Sequence, residues 1–289
     1  MQQLLNLAAD CGRLYCGDNL DVMRRLPDGC CHLIYADPPF CTGGVRRMPE
    51  SEHDFDDRWS GGVAEFLAFL DPRLREMRRL LAPSGSLYLH LDWRTVHYAK
   101  CRLDEIFGAA HFLNEIVWTY RTGGTSQRWF ARKHDSLLLY ARDSQQHTFH
   151  VLRDGDFRTD GLKRDDRGRP YKNTRRGRLY FHGDGPAMTD VWDVPFLSTV
   201  SDERNGYPSQ KPERLIERVV RASSNPGDVV ADFFCGSGTT LAVAHALGRR
   251  WIGCDVSPGA IRLTAQRLGM APPIDGEDGR TEATSGEDR

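Results

Sequence analysis

Asp37-Pro38-Pro39-Phe40 is the run whose residue types point most directly to chemistry. It follows His32-Leu33-Ile34-Tyr35-Ala36, a short apolar run that reads as a buried strand. The four residues therefore stand at a strand's carboxyl end, where open α/β sheets bind ligands. Two prolines fix the backbone and remove amide donors, leaving carbonyl groups free to accept. The Asp37 carboxylate and the Pro38 carbonyl are two acceptors, and Phe40 is a flat apolar face. Such a set suits a planar heterocycle with an exocyclic amino group, its hydrogens held by the acceptors and its ring stacked. Taken alone, the same four residues also fit a plain strand-ending turn, since Asp-Pro commonly starts one.

A second run, Asp232-Phe233-Phe234-Cys235-Gly236-Ser237-Gly238-Thr239-Thr240, follows a strand and opens a helix. Glycines at such a turn let a ligand approach the backbone. The third glycine of a dinucleotide fingerprint is replaced by Leu241, and no Gly-Lys-Ser/Thr of a phosphate loop follows. Asp255 ends the next strand, where an acid hydrogen-bonds ribose hydroxyls. The pattern points to a nucleoside-like ligand without a pyrophosphate, and a tight turn with no ligand is its alternative.

The elements that must position these runs alternate along the chain. Residues 32–36, 86–91, 112–118, 136–141, 228–234 and 251–254 read as strands. Residues 63–81, 94–107, 212–223, 239–247 and 257–268 read as helices, the first kinked or divided at Asp71-Pro72. Strand–helix alternation with continuous apolar strands predicts an α/β doubly wound, mostly parallel, Rossmann-like sheet. From 143 to 206 the pattern dissolves into Arg, Asp, Gly and Pro. The expected organisation is a half at 1–142 carrying the proline tetrad, an insert at 143–206 and a half at 207–270 carrying the glycine turn. A disordered acidic tail at 271–289 completes it.

With 289 residues the chain can bury a full core without disulfides. No apolar run reaches the ~18 residues of a membrane span, and the first residues carry no signal-peptide pattern. The eight cysteines form no Cys-x-x-Cys pair, so no metal site is expected, and mostly buried, reduced thiols of a cytoplasmic protein are.

Taken together, the two runs make the chain resemble the S-adenosylmethionine-dependent amino-group DNA methyltransferases. Asp-Pro-Pro-Phe matches that family's catalytic signature, and Phe-Cys-Gly-Ser-Gly its methyl-donor signature. The tetrad precedes the donor turn with a variable segment between, as in the permuted beta class. Gly17-Asp18-Asn19 and Gln210-Lys211-Pro212-Glu213 match two further segments of the family in the expected order. The resemblance implies that Asp37 and the Pro38 carbonyl bind the target amino group, with Pro39 rigid between them and Phe40, which stacks on the base. It implies that Asp232, Phe234, Cys235, Gly236, Ser237, Gly238 and Thr239 line the donor pocket. Asp255 would hold the ribose, Asp18 would lie beside the adenosine, and Lys211 and Glu213 would stand at the methionine end. The implied reaction is methylation of adenine N6 in duplex DNA by base flipping and direct in-line attack. Asp at the first tetrad position favours adenine, whereas Phe in place of the commoner Tyr at the fourth keeps cytosine N4 open. A catalytically silent DNA-binding module and an RNA methyltransferase remain as further alternatives. A homodimer and a cognate restriction endonuclease are the partners that the resemblance suggests beside duplex DNA.

The near-neutral total of −1 hides an uneven distribution. Between Arg158 and Arg178 nine bases face three acids, a net of +6, with Tyr171 interleaved and Tyr180 just beyond. Arg164, Arg167, Arg169, Lys172, Arg175, Arg176 and Arg178 are candidate phosphate or base contacts in what the resemblance makes a target-recognition region. A solvated basic loop is the plainer reading of any one of them. Arg121 and Arg128 belong to a second candidate DNA-contacting loop, 121–130, and 45–59 reads as an unpatterned loop that orders on DNA. The tail from Ala271 carries six acids and two bases, a net of −4. Deleting it is expected to tighten non-specific DNA binding at low salt; unchanged affinity in a filter-binding titration would contradict this.

Overall fold

Apolar runs of the chain pair into one eight-stranded sheet, and the helical stretches cover both its faces. A computed structural model describes residues 11–46, 55–57, 59–120, 124–155, 162–181, 184–198 and 201–273. In chain order its elements are β1 (Gly12–Cys16), α1 (Asn19–Arg25), β2 (Cys31–Ala36), β3 (Val45–Arg46), β4 (Phe55–Asp56), α2 (Gly62–Leu80), β5 (Leu81–Leu91) and α3 (Val96–Phe107). There follow β6 (Phe112–Thr119), β7 (His134–Ala141), β8 (Lys163–Arg164), β9 (Pro170–Thr174), β10 (Gly177–Tyr180) and β11 (Val191–Asp193). The last are α4 (Glu213–Ser223), β12 (Val229–Asp232), α5 (Thr239–Ala246), β13 (Arg250–Asp255) and α6 (Pro258–Arg267).

The sheet runs β1-β13-β12-β2-β5-β7-β6-β11. Every pairing in it is parallel except those of β7, which is antiparallel to both β5 and β6. This is the mostly parallel α/β architecture that the alternation predicts. Strand β5 shows how one segment serves two cores. Leu87, Leu89 and Leu91 enter the layer built with α1, α2 and α3, whereas Tyr88 enters the layer built with α4, α5 and α6. Side chains two residues apart share a face, so the alternation follows from the strand itself.

Local chemistry sets the helix starts. Asp18 caps α1, its carboxylate accepting from the Leu20 amide at 2.7 Å, and Ser257 caps α6 ahead of Pro258. Helix α2 corrects one expectation: it runs through Pro72 without a break. Phe66, Leu70, Leu74 and Met77 are all wholly buried on it. Burial of each is worth about 1.5–3 kcal/mol, which together outweighs the ~3 kcal/mol of an interior proline. The Phe69 carbonyl, one turn before, accepts from Arg73 Nη1 at 2.9 Å.

Other differences from the sequence reading are local. Strand β1 was not expected, because five residues with Gly12 and Arg13 among them show no readable period. The interval 143–206 does not stand apart from the sheet throughout. Strands β8 to β10 form their own antiparallel sheet, but β11 pairs with β6 and Trp118 Nε1 donates to the Val194 carbonyl at 2.8 Å. Trp192 and Val194 are accordingly core residues. The ends of the 45–59 segment pair as β3 and β4. All eight cysteines are free, but only Cys31, Cys235 and Cys254 are buried, while Cys11 and Cys101 are exposed. Arg121, Arg158 and the tail from residue 274 lie outside the described residues. Among the described residues no helix is long and apolar enough to cross a membrane.

Candidate active site

The carboxyl ends of β1, β13, β12, β2 and β5 open into one cavity of about 1030 Å³. Its lining includes Asp18, the whole Asp37-Pro38-Pro39-Phe40 run, Lys211, Asp232, Phe234, Cys235, Gly236, Ser237, Thr239 and Asp255. The sheet thus brings together the two runs that the sequence holds about 200 residues apart. The volume stands at the upper end of the ~300–1,000 Å³ typical of small-ligand pockets.

The glycine turn is built for close approach. Gly236 has φ +51°, and a Cβ there would lie 2.9 Å from the Tyr207 ring. Gly238 has φ +73° and packs so tightly on Thr264 that a Cβ would come within 2.6 Å of its methyl group. Gly238 therefore shapes the turn from behind and does not line the cavity. The Thr264 hydroxyl donates to the Gly236 carbonyl at 2.8 Å, tying the turn to α6. Asp255 accepts from the Gly236 and Ser257 amides, both at 2.9 Å, which leaves part of its acceptor capacity facing the cavity.

Asp18 is held from the far side. Arg73, itself buried, donates to both its carboxylate oxygens at 2.9 and 3.0 Å and to Asn19 Oδ1 at 2.7 Å. Asn19 in turn donates to the Phe233 carbonyl at 2.7 Å, so α1, α2 and the glycine turn are locked together.

Two sequence-derived positions sit differently from expectation. Lys211 lines the cavity, but its ammonium bonds the Asp37 carboxylate, joining the tetrad and not only the glycine turn. It also stands 5.2 Å from the centre of the Phe40 ring. The Glu213 carboxylate is engaged by Arg267 of α6 at 2.5 Å, outside the cavity lining. Position Glu213 is the first residue of α4, and its neighbour α6 supplies the nearest cation.

Behind Asp37 lies a buried polar chain that the sequence did not announce as a site. His90, with no exposed surface, has Nδ1 at 3.8 Å from Asp37 Oδ1 and at 2.6 Å from the Tyr35 hydroxyl. Its Nε2 is 3.4 Å from Asp135 Oδ2, and the Tyr120 hydroxyl donates to Asp135 Oδ1 at 3.2 Å. Burial alone would raise the Asp135 carboxyl, but hydrogen bonding and charge from His90 hold it below its ordinary value. The available signal was a lone histidine inside an apolar strand, Leu87-Tyr88-Leu89-His90-Leu91.

Electrostatics favour a cationic guest. Burial pushes the Asp232 carboxyl up to about 7, with Asp37 and Asp255 adding like-charge repulsion. Burial likewise raises Asp255. The Cys235 thiol is driven well up by burial first and then by Asp255 and Asp232, which removes it as a thiolate nucleophile.

The basic candidates sit elsewhere. Arg164, Arg167, Arg169, Lys172, Arg175, Arg176 and Arg178 are all exposed on the β8–β10 sheet and its turns. Arg169 pairs with Asp165 and Arg178 lies 4.6 Å over Tyr171. Arg128 is exposed in the 124–133 loop, next to exposed Trp129 and Phe130.

Comparison with known proteins adds an independent finding. The family profile described as DNA methylase matches residues 31–266. The chain is 29% identical over 269 residues to the DNA adenine methyltransferase YhdJ of Escherichia coli K12, covering 91% of this chain and 84% of that protein. It is 28% identical to the type II methyltransferase M.HpaI of Haemophilus parainfluenzae, over 89% of this chain and 74% of the relative. In fold it matches the PvuII cytosine-N4-specific DNA methyltransferase with a TM-score of 0.62 at 17% identity, over 92% of this chain and 87% of that one. It matches the M1.HpyAVI–SAM complex with a TM-score of 0.59 at 17% identity, over 89% and 98%.

The raised Asp232 carboxyl gives a pH dependence with a definite sign. A cationic guest favours the ionised acid, so its affinity falls as pH drops through about 7. The loss approaches tenfold per pH unit below that point. Calorimetry with S-adenosylmethionine from pH 8 to 6 is expected to show this slope, and Asp232→Asn is expected to flatten it. Parallel slopes in the two proteins would refute the assignment.

Proposed function

The chain belongs to the DNA methylase family, and on that premise we propose that it methylates adenine N6 in duplex DNA with S-adenosylmethionine as donor. The observation that carries the reading is one cavity holding the Asp-Pro-Pro-Phe acceptors and the glycine turn side by side.

The residues present fit the donor. S-adenosylmethionine supplies an electrophilic methyl group on a positively charged sulfur. Asp18, Asp232 and Asp255 line the cavity as carboxylates suited to a cationic nucleoside, and Gly236 and Ser237 of the glycine turn line it beside them. Phe234 adds an apolar wall to the same lining.

At the tetrad, Asp37 and the Pro38 carbonyl accept the two hydrogens of the target amine. An exocyclic amine is a weak nucleophile because its lone pair is delocalised into the ring. Two acceptors placed out of the ring plane draw the nitrogen towards tetrahedral geometry and localise that pair. A base within a duplex cannot reach a buried tetrad, so it must be flipped out, at a cost of a few kcal/mol. Stacking on Phe40 offsets part of that cost. Lys211 occupies an Asp37 oxygen and must share or yield it to the amine. Positioning of amine against donor supplies much of the rate gain.

The choice of adenine rests on Asp37 at the first tetrad position and on the named activity of the E. coli relative. The exposed bases of the β8–β10 sheet make that sheet the proposed reader of the recognition sequence. A cytoplasmic location, a homodimer and a partner restriction endonuclease belong to the same proposal, the last on the strength of the type II relative.

Labelled donor incubated with mixed duplex DNA, followed by digestion to nucleosides, is expected to yield N6-methyladenine. Methylated cytosine with no methylated adenine would overturn the choice of base. Asp37→Ala is expected to lower transfer by at least about 10³-fold while donor affinity stays within roughly threefold.

A further inference from the structure

Immediately after the tetrad, Cys41 takes φ +59°, the one non-glycine residue with positive φ among the described residues. A β-carbon in that region is strained and persists only where surrounding contacts enforce it. The enforcing group is Asp57, which is 1% exposed. Its carboxylate accepts from the Cys41 amide at 2.8 Å, the Thr42 amide at 2.8 Å, the Thr42 hydroxyl at 2.6 Å and Trp59 Nε1 at 3.1 Å. Two backbone bonds reinforce the clasp, from the Gly43 amide to the Asp57 carbonyl and from the Asp57 amide to the Gly44 carbonyl.

Trp59 carries the clasp to α2, packing its ring 5.6 Å from Phe66 and 5.2 Å from Phe69. Phe69 lies 6.2 Å from Phe234 of the glycine turn, and the Arg73 guanidinium covers its other contact at 3.6 Å. One carboxylate thus joins the turn that ends in Phe40 to the helix that braces the donor side. We infer that Asp57 is a positioning residue for methyl transfer: it holds the strained Cys41 turn, and with it the Phe40 ring and the amine acceptors, in fixed register with the donor pocket.

The inference rests on the methyltransferase reading, and it goes beyond the tetrad itself. A misplacement of about 1 Å at the reacting atoms costs on the order of a hundredfold in rate. Asp57→Asn offers one acceptor oxygen and turns an NH₂ towards donors, so it breaks the clasp with little change of volume.

The test has two arms on the full chain. In the first, amide hydrogen exchange is followed at Cys41 and Thr42. Asp57→Asn is expected to speed exchange there at least tenfold while the α2 amides keep wild-type rates. In the second, kcat on duplex DNA is expected to fall 10- to 100-fold, with the dissociation constant for S-adenosylmethionine within threefold of wild type. Thr42→Val removes a single donor of the clasp and is expected to lower kcat about threefold, which guards against a folding defect in the first variant. Wild-type exchange in Asp57→Asn, or faster exchange with unchanged kcat, overturns the proposal. Equal losses of kcat, donor affinity and α2 protection also overturn it, since they describe a merely structural residue. If the wild-type protein transfers no label to any DNA, the methyltransferase reading fails, and the exchange arm alone then decides whether the clasp exists.

Discussion

Negative charge collects where the parallel strands end, and the rest of the site is organised around holding it there. Asp18, Asp37, Asp232 and Asp255 all line one cavity, Asp37 and Asp232 largely withdrawn from solvent and Asp18 half exposed. Like charges at short range in a low dielectric repel strongly, so each needs a compensating partner or a proton. Arg73 answers Asp18, Lys211 answers Asp37, and backbone amides answer Asp255. Asp232 accepts from the Phe234 amide and the Thr240 side chain, and burial raises its carboxyl to about 7. Asp232 and Asp255, both raised by burial, meet no lysine or arginine among the described residues, a deficit that a cationic donor would complement.

The architecture follows from that arrangement. A parallel sheet gathers its carboxyl ends on one edge, so acids from distant parts of the chain meet without any long loop. The permuted order is invisible to this geometry: β12 lies between β13 and β2, and the glycine turn meets the proline tetrad although about 200 residues separate them in sequence. The antiparallel β7 supplies Asp135 at its start, which lines the cavity and through His90 reaches Asp37. The helical layers contribute in the same way. Arg73 comes from the middle of α2, where a proline would be expected to break the helix, and it is the residue that neutralises Asp18.

What was legible in the sequence and what was not divide along a physical line. The tetrad and the glycine turn were readable because their function needs unusual backbone chemistry, prolines without amides and glycines without β-carbons. The sheet was readable because strands buried on both faces are continuously apolar. His90, Asp135 and Arg73 were not, because each is an ordinary polar residue whose meaning lies in a partner tens of residues away, and Asp57 was not, because nothing local marks its partners. Asp57 sits in a stretch with no period at all, and its four donors come from residues 41, 42 and 59. Lys211 was singled out but placed with the glycine turn, since sequence neighbours cannot reveal that its ammonium reaches across to Asp37. Strand β11 was lost within a polar interval because three residues are too few to show a period, yet Trp192 is held in the core.

Membership of the family leaves the base open for a reason that the site itself supplies. Adenine and cytosine present the same amino group, two hydrogens on a nitrogen conjugated to a ring. On the proposed mechanism Asp37 and the Pro38 carbonyl engage that shared amino group, so the preference for adenine that Asp37 suggests by its residue type needs support from contacts to the ring. Discrimination must come from what surrounds the ring: the area of stacking on Phe40, the width of the cavity and any donor or acceptor facing the ring edge. A purine offers more stacking surface than a pyrimidine, which on the proposed mechanism would favour adenine against Phe40. On the proposed mechanism the clasp on Cys41 would bear on selectivity as well as rate. A stacking ring fixed by a strained turn would not follow a smaller base inward, and a base that left the gap unfilled would hold its amine short of the acceptors.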